Sequence, residues 1–324
     1  MRYHHNIKSL VQMMLRFSMK LLVVINTSAG FGENAIYDFM RLAFADGDEA
    51  CVRYTDGATD PASLVSDADY FDAVVVSGGD GTIASVSYEL AGTGIPVLPF
   101  PAGTANLLAS NLLMPYEPRS IATMARDMNV LDFDIGQIEI GSKKIGFSIM
   151  AGAGYDAAIM HDALPSKKRL GPAAYFQAAI TNPKPQKSKL TINIDGQTIQ
   201  TEGLGVMLVN FSKIQFEIPI THKTSARDGL FDIVVLRAEN AIELIPAFIA
   251  ATLDRDGNMP SRGDSIEVLR GREVEVIADP PLPIQYDGEP LKLTTPFRAT
   301  VLEGAARFIV SDEALDQYGP KDED

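Results

Sequence analysis

The residues best suited to chemistry lie in three short glycine-containing loops. Ser77-Gly78-Gly79-Asp80-Gly81-Thr82 follows an apolar run, Ala73 to Val76, and precedes Ile83, Val86 and Leu90 at helical spacing. Its glycines let the main chain approach a ligand without Cβ obstruction, and the first N–H groups of a helix attract phosphate. A carboxylate there would repel bare phosphate. Asp80 therefore makes sense if a Mg²⁺ bridges it to a nucleotide, or if it handles an acceptor's proton. The plainer reading is a tight turn with Asp80 capping the helix. A second loop, Pro99 to Asn106, offers Thr104 to a phosphate and Asn106 to a sugar or adenine edge, although Thr104 also suits a helix N-cap. The third loop is Asn26-Thr27-Ser28-Ala29-Gly30. Three such loops, each ending a strand-like run, point to one nucleotide site.

The elements that must carry these loops alternate. Leu21 to Ile25 is a continuous apolar run, fit for a strand buried on both faces. A helical pattern follows through Ile36, Phe39, Met40 and Ala43, and then strands at 50–55, 73–76 and 95–98. Thr104 is expected to open a further helix through Leu107, Leu108 and Leu112. Alternating strands and helices predict a parallel sheet, which binds ligands beyond the carboxyl ends of its strands. After Asp132 the pattern becomes all-β, with strands expected at 144–149, 190–194, 198–210, 231–236, 265–277 and 297–302 and one helix at 241–252. Asp195-Gly196 and Asp287-Gly288 are hairpin turn signals. The expected fold is a parallel α/β nucleotide-binding domain over 19–131 with a β-sandwich-like domain over 132–310, whose last segment packs back on the first. Residues 1–18 are expected to be a dispensable extension, because Met19 opens the strand-like MKLLVVIN. The acid-rich residues 311–324 are expected to form a loose tail.

Bulk properties narrow the partner. Lys plus Arg is 28 against 42 Asp plus Glu, and a net charge of -14 argues against a phosphate-backbone ligand. One cysteine, Cys51, forbids an intrachain disulfide and suits a reducing cytoplasm. No run approaches the roughly 20 apolar residues that span a bilayer. His161 and His222 are isolated, and without a Cys/His cluster zinc is not expected.

In this order and spacing, the Asn-Thr-Ser-Ala-Gly, Gly-Gly-Asp-Gly-Thr and Gly-Thr-Ala-Asn loops resemble the catalytic domain of the diacylglycerol kinase superfamily, in particular bacterial lipid kinases similar to the soluble diacylglycerol kinase and sphingosine kinase group. The likeness continues through Ala151-Gly152-Ala153-Gly154-Tyr155-Asp156, Lys168-Arg169-Leu170-Gly171, Ala226 to Asp232 and Asp287-Gly288-Glu289, covering about residues 20–310. One departure is Ala84, where many relatives carry Asn. The resemblance implies ATP-dependent phosphorylation of a lipid hydroxyl. It implies that Asn26, Ser28, Gly30, Thr55, Gly78, Gly79, Asp80, Gly81, Thr82 and Thr104, with Asn106 beside them, hold the nucleotide. Asp80 would work through Mg²⁺ and Glu289 would be the general base. Ser225, Asp228 and the Leu230 carbonyl would bind a structural Mg²⁺. Read as residues alone, Asp287 to Glu289 and Asp228-Gly229 are also plain turns.

Residues 163–194 carry six Lys or Arg and no acid, a local reversal of sign. This stretch, with Tyr175 and Phe176, is expected either to meet a bilayer surface through lipid headgroups or to be a solvated face balancing nearby acids. The rival functions are a kinase of a soluble acceptor such as NAD, and a non-catalytic nucleotide-sensing module. Met150, Ile159, Phe211, Ile214 and Phe216 in the second half favour a lipid over a polar acceptor.

Overall fold

The computed structural model describes residues 18–29, 34–154, 186–211, 213–214, 218–219, 225–239, 243 and 265–320. Continuous apolar runs form the first strands as expected. β1 (Lys20–Asn26), β2 (Glu49–Thr55), β3 (Ala73–Gly78) and β4 (Val97–Pro101) pair in parallel in the order β2-β1-β3-β4. Leu21 to Val24 and Ala73 to Val76 are fully buried, because helices cover both faces of a parallel sheet. α1 (Ala35–Ala43) buries Ile36, Phe39 and Ala43. α2 (Pro61–Leu64) is a single capped turn, and α3 (Asp80–Glu89) buries Ile83, Ala84 and Val86. α4 (Leu107–Asn111) starts three residues later than expected: Asn106, not Thr104, precedes it, in left-handed backbone at φ 50°. α5 (Pro118–Asp127) completes the α/β half.

The second half is antiparallel. β5 (Val130–Ile140), β6 (Lys143–Phe147), β8 (Ser188–Ile194), β9 (Gln197–Gly203), β15 (Glu273–Asp279) and β18 (Phe297–Ile309) extend the first sheet to ten strands. β7 (Met150–Gly154), β10 (Gly205–Val209), β13 (Phe231–Leu236), β14 (Ile266–Gly271), β16 (Pro283–Tyr286) and β17 (Glu289–Thr294) form a six-stranded sheet, β14-β13-β10-β7-β16-β17. The two short strands β11 (Lys213–Ile214) and β12 (Ile218–Pro219) pair with each other. The antiparallel part of the large sheet and the six-stranded sheet enclose a common core, in which Phe147 stacks on Phe231 at 5.4 Å.

Two expected strands are each two strands. The runs 198–210 and 265–277 break at Gly203-Leu204 and Gly271-Arg272, where the chain crosses from one sheet to the other. A Cβ on Gly271 would lie 2.3 Å from Ile194 Cγ2, so only glycine fits that corner. Conversely, β18 runs seven residues beyond the expected end at Leu302. A bulge between Leu302 and Ala306 bends it, so that its start pairs with β15 and Phe308 reaches β4 in parallel. The final segment thus packs back on the α/β half.

The expected loose tail is not what forms after β18. Ser311 caps α6 (Asp312–Tyr318) by accepting the Ala314 N–H, and donates to the Leu113 carbonyl at 3.1 Å. The Tyr318 hydroxyl donates to the Asn111 carbonyl at 2.9 Å, and its ring meets Phe133 edge-on at 5.5 Å. Acid content alone missed Ala314 and Tyr318, whose burial anchors the helix. At the other end, Met19 is buried and its N–H donates to Asp48. Residues 1–17, the expected helix at 241–252 except Glu243, His161, His222 and the Tyr175-Phe176 pair lie outside the described residues.

Candidate functional site

The parallel strands end side by side, with Asn26 beside Thr55, Ile25 beside Ser77 and Gly78 beside Pro101, which brings the polar loops together. Asn26 Nδ2 donates to Thr82 Oγ1 at 2.7 Å, tying the first loop to the start of α3. Asn26 Oδ1 accepts the Ser28 N–H, and Ser28 Oγ donates to the Asp56 carbonyl. Thr55 is buried and its Oγ1 accepts the Gly57 N–H. Gly79 and Gly103 touch backbone to backbone: a Cβ on Gly103 would lie 2.5 Å from Gly79 Cα. Gly81 stands in the first turn of α3, Thr104 is exposed, and Gly30 lies outside the described residues.

Two side chains have local partners that the sequence did not disclose. Asn106 Oδ1 accepts the Gly103 N–H, and its Nδ2 donates back to the Gly103 carbonyl at 3.0 Å, so the amide shapes its own loop. Asp80 Oδ1 accepts the Leu108 N–H at 2.9 Å. Asp80 is thus a cap, but of α4 in the neighbouring loop rather than of α3, and it binds those two loops together.

Glu289 comes from the other sheet. It opens β17, is exposed, and pairs with Tyr286 across the Asp287-Gly288 turn. The Asp287 carboxylate accepts three consecutive backbone N–H groups, from Ser148 at 2.7 Å, Ile149 at 2.8 Å and Met150 at 3.0 Å. Its own N–H donates to the Met150 carbonyl. Burial raises the Asp287 carboxyl to a pKa of about 6 against these donors, and the negative charge of Asp80 adds to the rise. The hairpin of Glu289 and the Asp80 loop therefore share one neighbourhood. Burial, with Glu289 and Asp287 nearby, likewise raises Tyr286.

The turn at 225–230 is a separate place. Asp228 Oδ1 accepts the Leu230 N–H, and its other oxygen pairs with Arg270, which also binds Asp232 at 2.9 Å. Asp134, buried in β5, accepts the Gly229 N–H at 2.7 Å and the Gly304 N–H at 2.8 Å, fixing this turn to the β18 bulge. Burial raises the Asp134 carboxyl, opposed by those two donors. No three acidic, His or Cys side chains gather as metal ligands among the described residues. Ser225 and the Leu230 carbonyl would have to complete any cation shell.

Two family models cover most of the chain: the diacylglycerol kinase catalytic domain matches residues 20–138, and the YegS C-terminal NAD kinase beta sandwich-like domain matches residues 149–310. The chain belongs to the diacylglycerol kinase family. The family's members are lipid kinases, and its kinases use ATP. The chain is 28% identical over 231 residues to the diacylglycerol kinase of Bacillus subtilis, covering 68% of this chain and 71% of that one. It is also 28% identical over 246 residues to an uncharacterized protein of Synechocystis, covering 74% of this chain but spanning only 55% of that protein's length. The crystal structure of a diacylglycerol kinase from Bacillus anthracis str. Sterne has the same fold, with a TM-score of 0.66 at 20% identity, over 92% of this chain and 99% of that one.

Three residues of this diacylglycerol kinase family chain escaped sequence reading. Asp287 reads as the first residue of an Asp-Gly turn, and nothing local predicts that its carboxylate reaches 148–150. Asp134 has a weak signal, an acid in a strand flanked by Phe133 and Ile135. Asn210 Nδ2 donates to the Asp134 and Ser148 carbonyls at 2.9 and 2.8 Å, an interior link visible only after folding. Among the described residues no helix is long and apolar enough to cross a membrane.

Proposed function

We propose that this chain transfers the γ-phosphoryl group of ATP to a hydroxyl of a lipid such as diacylglycerol, phosphatidylglycerol or a sphingoid base. One observation carries the reading: Asp80, at the head of glycine-opened loops joined to one another, lies within electrostatic reach of the hairpin that presents Glu289. Asn26, Ser28, Gly30, Thr55, Gly78 to Thr82 and Thr104 hold the nucleotide, and Asn106 acts by shaping its loop. The loop offers hard oxygen donors, including the Asp80 carboxylate, which fit Mg²⁺. Bound there with ATP, the metal would neutralise phosphate charge.

Glu289 takes the proton from the lipid hydroxyl as the oxygen attacks, and its exposure leaves it open to an incoming acceptor. Positioning then supplies most of the rate, since phosphoryl transfer asks little covalent chemistry of the protein. Met150, whose N–H donates to the Asp287 carboxylate, and Phe211, whose N–H donates to the Ile149 carbonyl, give this neighbourhood an apolar character that supports an apolar acceptor. A second cation at Ser225, Asp228 and the Leu230 carbonyl belongs to the same proposal, with Arg270 as its competitor on Asp228. Peripheral contact with a bilayer is proposed through 163–194. Within it Lys187 already pairs with Glu202 and Glu239, and the cluster Lys167, Lys168 and Arg169 is the part proposed to meet the headgroups.

Incubation with γ-labelled ATP and a panel of lipids, with NAD as the soluble comparison, tests the reading. Label in an organic-extractable product is expected. Label on NAD alone would replace it with the soluble-acceptor kinase.

A further inference from the structure

The proposed base stands on an exposed hairpin, and a base on a loose turn would lose most of its effect, because misplacement by about 1 Å costs on the order of 100-fold in rate. Something must hold it. The peptide segment Ser148 to Met150 is bound on both of its edges. Its three N–H groups point into the Asp287 carboxylate. Its carbonyls are taken in turn: Ser148 by Asn210 Nδ2 at 2.8 Å, Ile149 by the Asn210 N–H at 2.9 Å and Met150 by the Asp287 N–H at 2.8 Å. Asn210 is fully buried and also holds the Asp134 carbonyl of β5. The segment is thus a fixed platform built into both sheets. The hairpin's first strand, β16, is already paired with β7, and Asp287 is the side chain that fastens the turn itself to this segment.

The turn itself leaves little freedom. Asp287 adopts φ 43° and Gly288 φ 86°, and the Gly288 N–H donates to Gln285 Oε1 at 3.2 Å. Glu289 follows at once as the first residue of β17, so its Cα–Cβ direction is set by the conformation of these two residues.

We propose that Asp287 is a positioning residue that fixes Glu289 toward the Asp80 loop by anchoring the hairpin to the backbone of residues 148–150. This rests on the kinase reading given above. A neutral side chain of the same shape does not replace it: in Asp287→Asn one of the two oxygens becomes an NH₂ that faces N–H donors, and the anchor opens.

The test is a double-mutant cycle on the full chain, using γ-labelled ATP and mixed micelles of diacylglycerol, phosphatidylglycerol and sphingosine. Asp287→Asn should lower kcat on the order of 100-fold, with the KM for ATP within about twofold of wild type. Combined with Glu289→Gln it should be no slower than Glu289→Gln alone, because two residues acting as one unit are not additive. Fully multiplicative losses, or wild-type kcat in the folded Asp287→Asn protein, overturn the inference while leaving the kinase reading standing. An inert wild type removes the kinase reading and this inference with it. Should Asp287→Asn fail to fold, Gly288→Ala keeps the anchor but strains the left-handed turn. It should also lower kcat at unchanged KM for ATP, and a normal kcat there overturns the proposal.

Discussion

Asp80 lies close enough to Asp287 for its negative charge to add to the rise of the Asp287 carboxyl, although Asp80 opens α3 in the α/β half and Asp287 sits in the turn between β16 and β17. Asp80 caps α4 and so joins two glycine loops, while Asp287 fastens its hairpin to residues 148–150. The contact between α3 and β6 keeps the halves in register, with Tyr88 donating to Gln137 at 2.7 Å and its ring filling the space beside Gly146. One acid thus organises the glycine loops and the other the hairpin that carries Glu289.

Glu289→Gln should lower lipid phosphorylation about 10² to 10⁴-fold, the usual contribution of a general base. ATP affinity, measured by equilibrium binding, should stay within about twofold, since the hairpin takes part in none of the glycine loops' hydrogen bonds reported above. A turnover near wild type would free Glu289 of its role.

Gly103→Ala should separate the two central loops, because its Cβ would stand 2.5 Å from Gly79 Cα and backbone cannot yield as a side chain can. A loss of about 1–3 kcal/mol in chemical unfolding is expected, as for other overpacked sites, together with weaker ATP binding. Unchanged binding would show that the loop contact is dispensable for the nucleotide.

The pH dependence of stability has a definite sign. Folding raises the Asp287 carboxyl from 3.8 to about 6, so the folded state binds this proton more tightly. Its contribution is fully present below pH 3.8 and is lost as pH rises through 6, a change of about 3 kcal/mol at 1.4 kcal/mol per pH unit. Asp48 works in the opposite direction and lower range: Arg126 and the N–H groups of Ala45 and Met19 hold it at about 2, so its stabilisation is lost as pH falls from 3.8 toward 2. Chemical unfolding of wild type and Asp287→Asn between pH 4 and 7 isolates the first effect. The difference between them should change along that range, and a constant difference would contradict it.

If a cation completes the turn at Ser225, Asp228 and the Leu230 carbonyl, magnesium should raise the melting temperature of the wild type and not of Asp228→Asn. Arg270→Met, which removes the competing guanidinium, should bind magnesium more tightly in calorimetry. Equal magnesium response in wild type and Asp228→Asn would remove the cation from this turn.

The α/β half was legible because its strands are buried on both faces, which leaves unbroken apolar runs such as Leu21 to Ile25, and because Ile83, Val86 and Leu90 keep strict helical spacing. The sheet crossings at Gly203 and Gly271 were not, since strand alternation continues through them and only the demand for space at the corner reveals them. Thr104 shows the same limit. The helix waits until Leu107 because the Asn106 amide closes a ring with Gly103, a competition between side chain and backbone that propensity does not predict. Among the site residues, the glycine loops announce themselves by type and position. Asp287 and Asn210 do not, because their partners are backbone groups distant in sequence, and any short turn acid or strand-end amide looks the same beforehand.

The most direct measurement preloads the full chain with γ-labelled ATP and magnesium, adds micelles containing the candidate lipids, and follows the label through a single turnover. Wild type should move label into an organic-extractable lipid phosphate, and Asp80→Asn should leave it on ATP. Label released only as inorganic phosphate, or transferred equally well by Asp80→Asn, would contradict the account.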